Sequence, residues 1–162
     1  MTGISWWSAA LRGAAAGAAG TTALDAVTYL DMAWRGRPAS TTPQDSVEKL
    51  ASAAGLHVPG DEQTRSNRLA GLGSVTGIAT GVGVGALAGV LARNRRMSWP
   101  ALAGFVGTGA LLAANGPMTV LGITDPRTWG VSGWVSDVVP HVAYGVVTAY
   151  VARGLVWPAY DR

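Results

Sequence analysis

The chain has 162 residues, of which 49% are hydrophobic and only 13% are charged; its formal charge is +3 and it contains no cysteine. Soluble domains average about 25% charged residues, so this composition indicates a membrane protein. The lack of cysteine excludes disulfides, thiolate nucleophiles and cysteine-ligated metals. The positive charges form no dense patch interleaved with aromatic residues. This pattern argues against nucleic-acid binding and favours contact with an anionic lipid surface.

Long stretches without charge predict the architecture. The uncharged runs are 13–24, 69–92, 97–124 and 138–152. The two middle runs exceed the ~20 residues that a bilayer-spanning helix needs, and the outer two reach that length once an ionisable residue is included. We therefore predict one all-α integral membrane domain over 1–162. Its four transmembrane helices are expected at about 8–33, 68–92, 98–122 and 134–157. A soluble bundle rich in alanine and glycine is the alternative.

Tryptophans lie at the edges of the apolar stretches, as expected of a side chain that prefers the membrane–water interface. The distances from Trp7 to Trp34 and from Trp134 to Trp157 are roughly 40 and 35 Å along a helix, which matches a bilayer with its headgroup regions. The N-terminal stretch has no leading basic region and contains Arg12. We therefore predict a retained first helix rather than a cleaved signal peptide.

The first helix contains ionisable residues within its apolar span. Asp25 lies roughly 13 Å from Trp34 along the helix, and a carboxylate inside a transmembrane segment is costly and suggests a function. Tyr29 follows at i+4. Asp31 has Arg35 at i+4, which predicts an ordinary ion pair at the interface.

The one long connection, 35–67, contains the segment "STTPQDSVEKLASAAG". Thr42 is a predicted N-cap, Pro43 suits the first helical position, and Gly55 ends the pattern. The segment predicts a short amphipathic helix over about 43–54, which lies on the membrane or caps the bundle. His57 follows in a turn and is expected to be solvated.

Glycine recurs at every fourth residue in the second predicted helix, at Gly73, Gly77, Gly81, Gly85 and Gly89. Each costs roughly 1 kcal/mol relative to alanine in a soluble helix. In lipid, small residues let helix backbones approach closely. We therefore interpret this glycine ladder as a glycine-zipper packing face, within one chain or between copies. The G-x-G-x-x-A pattern inside it follows no strand and is not a dinucleotide site.

The third and fourth helices carry further polar residues at a similar depth. Asn115 precedes Gly116 and Pro117, which are expected to weaken or kink the third helix. In the fourth helix, Asp137 is expected to cap the helix start, and His141 is expected to pair with Asp25 across helices one and four. The predicted polar intramembrane cluster is Asp25, Tyr29, Asn115, Asp137, His141 and Tyr144.

Two segments, "TTALDAVTYLDMAWRGRPAS" and "DVVPHVAYGVVTAY", resemble the YagU-like group of small bacterial inner-membrane proteins. The resemblance covers the first helix with its following loop and the D-x-x-P-H-x-x-Y-G element, Asp137, Pro140, His141, Tyr144 and Gly145. It implies a multi-pass protein of the bacterial inner membrane. It implies no enzymatic activity.

These patterns favour an accessory or scaffold subunit that packs through glycine faces into a homo-oligomer or a larger membrane complex. The alternative is a proton- or ion-handling protein that uses an Asp25/His141 pair, since histidine titrates near neutral pH. We expect no enzymatic activity, no metal and no cofactor, because no catalytic or strong metal motif is present. The expected partner is the lipid bilayer, without nucleic acid. Arginines at 93, 95 and 96 favour a cytoplasmic turn with both termini cytoplasmic.

Overall fold

The computed structural model describes residues 4–94 and 97–156. These residues form helices and no strand, so the all-α prediction is confirmed. The α-helices are α1 (Trp6–Arg35), α2 (Thr42–Ala53), α3 (Glu62–Ala92), α4 (Trp99–Val120) and α5 (Val131–Val156). A short 3-10 helix, Pro126–Thr128, precedes α5. Trp157, Arg95 and Arg96, which supported the last boundary and the orientation, lie outside the described residues.

Helix boundaries follow from local capping chemistry. The Ser5 side chain accepts a hydrogen bond from the Ser8 backbone N–H at the start of α1, and this satisfies one of the unpaired donors there. Gly36 ends α1 in the left-handed conformation, which glycine adopts without strain. Gly55 follows α2 in the same conformation, as predicted. Thr42 is the first residue of α2 rather than its N-cap, because the N-cap position falls on Thr41.

Three helices are long and apolar enough to cross a membrane: α3, α4 and the described part of α5, Val131–Leu155. The prediction of four such helices is therefore correct for three of them. The exception is α1, which has 30 residues but is rich in alanine and glycine. Arg12 and Asp25 lower its apolarity further.

Helix α1 packs antiparallel to α3 with the two backbones in direct contact. An added Cβ on Gly17 would lie 2.6 Å from the carbonyl oxygen of Gly81 and 3.0 Å from the Cα of Gly85. One on Gly85 would lie 2.5 Å from both the Gly13 carbonyl oxygen and the Gly17 Cα. Any side chain at these positions would push the helices apart, so the contact requires glycine on both sides.

Helix α5 lies between α1 and α4 and is antiparallel to both. Towards α1, an added Cβ on Gly20 would lie 2.9 Å from the carbonyl oxygen of Tyr144. Towards α4, one on Gly145 would lie 2.9 Å from the Cα of Gly107. The α3 and α4 helices contact each other less extensively. Glycines therefore form the contacts of α5 as well as those of α1.

The short helix α2 packs against the first part of α3 rather than lying apart from it. Pro43 contacts Gly73, where an added Cβ would lie 3.0 Å from Pro43. Glu48 forms an ion pair with Arg65 of α3. The Lys49 ammonium donates to the carbonyl oxygen of Leu121, just beyond α4. Helix α2 therefore covers one end of the packed helices.

The glycine ladder does not face one partner along its length. Gly81, Gly85 and Gly89 contact α1, whereas Gly73 contacts α2. Gly77 is exposed and an added Cβ there would meet nothing within 4 Å. The reason is geometric, since a four-residue step advances about 40° around the helix. A straight ladder therefore winds away from a neighbouring helix.

This geometry predicts opposite effects for two identical substitutions in the same ladder. Gly85→Ala should destabilise the protein by about 1–3 kcal/mol, because the new methyl group overlaps the α1 backbone. Gly77→Ala, the matched control, should be neutral or stabilising by up to about 1 kcal/mol, because alanine favours helix and the space is open. Thermal unfolding in a mild detergent measures both. Equal melting temperatures would contradict the α1–α3 contact.

A pH dependence is expected at the start of α3. The pKa of Asp61 is lowered because the Thr64 hydroxyl and backbone N–H both donate to its carboxylate. The capping stabilisation should therefore be complete above the ordinary aspartate pKa of about 4. It should be lost as the pH falls through the lower pKa of the folded state. Comparing wild type with Asp61→Asn by thermal unfolding across this range isolates the effect; parallel curves would contradict it.

Candidate functional site

Three polar residues predicted as part of the cluster meet between α4 and α5. The Asn115 amide donates to Asp137 Oδ2 at 2.8 Å. The Nδ1 atom of His141 lies 2.7 Å from the Asp137 backbone carbonyl and 3.7 Å from Asp137 Oδ1. The side chains of His141 and Asp137 are only 12% and 23% exposed. We refer to these three residues as the Asp137–His141 cluster.

The contacts of His141 fix which ring nitrogen carries the proton. A backbone carbonyl only accepts hydrogen bonds, so Nδ1 must donate to the Asp137 carbonyl. In the neutral ring, Nε2 is then the atom with the free lone pair. The Asp137 carboxylate lies next to this ring, with its Oδ1 atom 3.7 Å from Nδ1. In this arrangement the neutral His141 ring has one hydrogen-bond acceptor, the Nε2 atom.

Prolines lie next to the cluster in both helices. Pro140 precedes His141 and has no N–H for the carbonyl of Ser136, and Pro117 follows Asn115 by two residues. Both helices nevertheless continue past their prolines, so the expected weak point at Gly116 and Pro117 does not end α4, which extends to Val120.

The predicted capping role of Asp137 is wrong. Helix α5 begins at Val131 and has no acidic residue in its first turn. Asp137 thus lies in the second turn, where the helix no longer offers unpaired N–H groups. Its carboxylate instead accepts from Asn115 on the neighbouring helix.

A cavity of about 160 Å³ adjoins the cluster between α4 and α5. Its lining includes Gly104, Gly107 and Thr108 of α4 and Val138, His141 and Val142 of α5. Most of the surface of this cavity is apolar. Gly104 and Val142 are exposed, so the cavity opens towards the outer surface of the helices. His141 therefore lines a cavity that is open at the outer surface of α4 and α5.

The other predicted members of the cluster lie elsewhere. Asp25 is half-buried, and no hydrogen bond or ion pair joins it to His141 among residues 4–94 and 97–156. It follows Gly20, which faces α5, by five residues, or about 140° around the helix. Asp25 and His141 were predicted at a similar depth in the membrane, but Asp25 lies on a face of α1 that does not point towards His141. Tyr29 is 63% exposed and points outwards.

Tyr144 is fully buried but faces a different helix from His141. Its hydroxyl donates to the carbonyl oxygen of Gly81 at 2.6 Å and so links α5 to α3. A buried tyrosine hydroxyl normally finds such a partner. Tyr144 is therefore a structural neighbour of the cluster rather than part of it.

A second polar network joins the end of α1 to the start of α5. The predicted ion pair of Asp31 and Arg35 is confirmed, with Arg35 Nε 2.6 Å from Asp31 Oδ1. Arg37 adds a bond to Asp31 at 2.6 Å. Arg35 also donates to the hydroxyls of Ser132 and Ser136. These serines were not predicted from the sequence, although their four-residue spacing places both on one face of α5.

In the described parts of the chain, no group of three or more histidine, cysteine or acidic residues is arranged to hold a metal ion. Comparisons of the chain with protein-family models, curated proteins and solved structures found no match. The resemblance to the YagU-like group thus stays a prediction.

The buried tyrosine offers a test of the scaffold around the cluster. Tyr144→Phe should lower stability by about 0.5–2 kcal/mol, because the Gly81 carbonyl loses its hydroxyl donor. Tyr150→Phe is the matched control, since Tyr150 is 74% exposed on the same helix. Thermal or denaturant unfolding in detergent measures both. A loss of stability in Tyr150→Phe equal to that in Tyr144→Phe would contradict the assigned contact.

Proposed function

We propose that this chain is a multi-pass membrane protein that handles protons through the Asp137–His141 cluster. The observation that carries the proposal is a histidine and a carboxylate held together on a helix apolar enough to span a membrane, beside a cavity that His141 lines. Ionisable groups inside such helices are costly and mark proton or ion pathways by default. The proposal involves no enzymatic step and no cofactor.

Each residue of the cluster has a distinct task in proton exchange. Imidazole side chains change charge between about pH 5 and 8, and the lone pair on Nε2 of His141 accepts the proton. Asp137 stabilises the charged ring, and Asn115 holds the carboxylate in place through its amide. The resulting chemistry is reversible protonation, with no bond to carbon made or broken.

The proposal includes a membrane crossing by α1 and a location in the bacterial inner membrane. Helix α1 has 30 residues, or roughly 45 Å, and packs along two helices that qualify as spans. Arg12 lies towards one end and donates to the Leu155 carbonyl at 2.7 Å. Asp31 and Arg35 lie at the other end. The location rests on the resemblance to the YagU-like group.

The use of glycines inside the chain favours proton handling over the scaffold function. Gly81, Gly85 and Gly89 are covered by α1, and Gly73 is covered by α2. A partner protein or second copy could not use these glycines without displacing the chain's own helices. A scaffold would need a different docking surface, whereas the Asp137–His141 cluster is formed within a single chain.

Proton flux in proteoliposomes tests this proposal. Vesicles containing the wild-type protein should dissipate an imposed pH gradient faster than protein-free vesicles. Asp137→Asn and His141→Gln should each slow this dissipation by about tenfold or more, because proton transfer through a positioned side chain contributes at least that much. A trapped pH-sensitive dye reports the rate.

Two control variants sharpen the interpretation. Asp125→Asn changes a carboxylate outside the helices, paired with Arg127, and should leave flux unchanged. Asp25→Asn should also leave flux unchanged, because no hydrogen bond or ion pair joins Asp25 to His141 in the described residues. If Asp25→Asn abolished flux while Asp137→Asn retained it, Asp25 and not the Asp137–His141 cluster would carry the proton. Wild-type vesicles no leakier than protein-free ones would contradict proton handling altogether.

A further inference from the structure

An apolar groove lies beside α2, away from the Asp137–His141 cluster. It measures about 630 Å³, within the range of about 300–1,000 Å³ that is typical of small-molecule sites. Its walls come from α2, the following linker and the first turns of α3. The lining includes Val47, Leu56, His57, Val58, Arg68 and Leu72.

The charges at this groove suit an anion. Arg68 and His57 are its cationic and titratable lining residues, and the lining contains no carboxylate. Two acidic residues of the surrounding segments have partners of their own: Glu48 pairs with Arg65, and Asp61 accepts from the backbone at the start of α3. The groove therefore combines an apolar floor with an arginine whose charge no lining carboxylate offsets.

The guanidinium of Arg68 has more N–H donors than its contact with the linker uses. One guanidinium nitrogen, Nη1, donates to the carbonyl oxygen of Pro59 at 2.6 Å, which fixes the side chain against the linker. A guanidinium has five N–H donors in a rigid planar fork that matches phosphate oxygens. Arg68 is itself exposed, so its remaining donors are accessible from outside.

The position of Arg68 along α3 places the groove at the edge of the bilayer. Arg68 is the last charged residue before the uncharged run 69–92, which belongs to a helix able to cross a membrane. Arginine at such a boundary lies at the level of the lipid headgroups. The apolar part of the groove then lies next to the acyl chains.

We propose that this groove binds an anionic phospholipid, whose phosphate pairs with Arg68 and whose acyl chains lie on Leu56, Val58 and Leu72. The occupant is a lipid rather than free phosphate because most of the groove is apolar. A zwitterionic lipid carries the same phosphate, but its cationic headgroup would face Arg68 unfavourably. This inference requires that α3 crosses the membrane and is independent of the Asp137–His141 cluster.

Native mass spectrometry of the full chain in mild detergent tests the site. With phosphatidylglycerol and phosphatidylcholine added at equal concentration, the wild type should retain phosphatidylglycerol preferentially. Arg68→Gln should reduce that retention by about tenfold, the effect expected for one charge-assisted hydrogen bond. Arg127→Gln, the matched control, removes the same charge from an exposed arginine outside the groove and should retain the lipid as wild type does.

A second variant keeps the test decisive if Arg68→Gln does not fold. Leu56 is 64% exposed, so Leu56→Glu should be tolerated while placing a carboxylate in the groove, and it should also abolish selective retention. Three results would overturn the proposal: equal retention of the two lipids by wild type, an equal loss in Arg127→Gln, or displacement of the lipid by excess inorganic phosphate. The last result would indicate a site for free phosphate.

Discussion

Direct backbone contact between α1 and α3 is the constraint on which the other contacts depend. Gly13 and Gly17 lie against Gly81 and Gly85 with no side chain between them. Apolar surface gives no net driving force between helices in lipid, so such close van der Waals contact is a main source of association. Because the helices are this close, the Tyr144 hydroxyl of α5 can reach the Gly81 carbonyl. A wider spacing would take this acceptor away from the Tyr144 hydroxyl in an apolar environment.

In this close packing, different faces of α5 contact different helices. Gly145 allows contact with α4, Tyr144 faces α3, and Ser136 binds the arginine at the end of α1. Asp137 points towards α4, where its carboxylate accepts a hydrogen bond from Asn115. The contacts of α5 with α1, α3 and α4 thus set the rotation of α5 that brings Asp137 next to Asn115.

Sequence patterns predicted the helices well but predicted their partners only in part. Charge-free runs, Pro43 and Gly55 located the helix ends to within about three residues, because charge and capping act locally. The exception is α3, which begins at Glu62, six residues before the predicted start, because its first turns are charged. Depth calculations correctly grouped Asn115 with His141, yet they also grouped Asp25 with them. Depth depends only on the rise per residue, whereas contact also depends on rotation about the helix axis. That rotation is set by which small residues meet on neighbouring helices, and one sequence does not specify those pairs.

The least apolar of the long helices is also the one held by the closest contacts. On the proposed topology, α1 carries Arg12 and Asp25 into or near the bilayer, each at a cost of a few kcal/mol. The alanines and glycines that lower its apolarity are the residues that allow contact with α3 and α5. Packing and not apolarity must therefore hold α1 in the membrane. Helix α1 would then be stable as a span only when α3 and α5 are already present, which makes its glycines essential for topology as well as for packing.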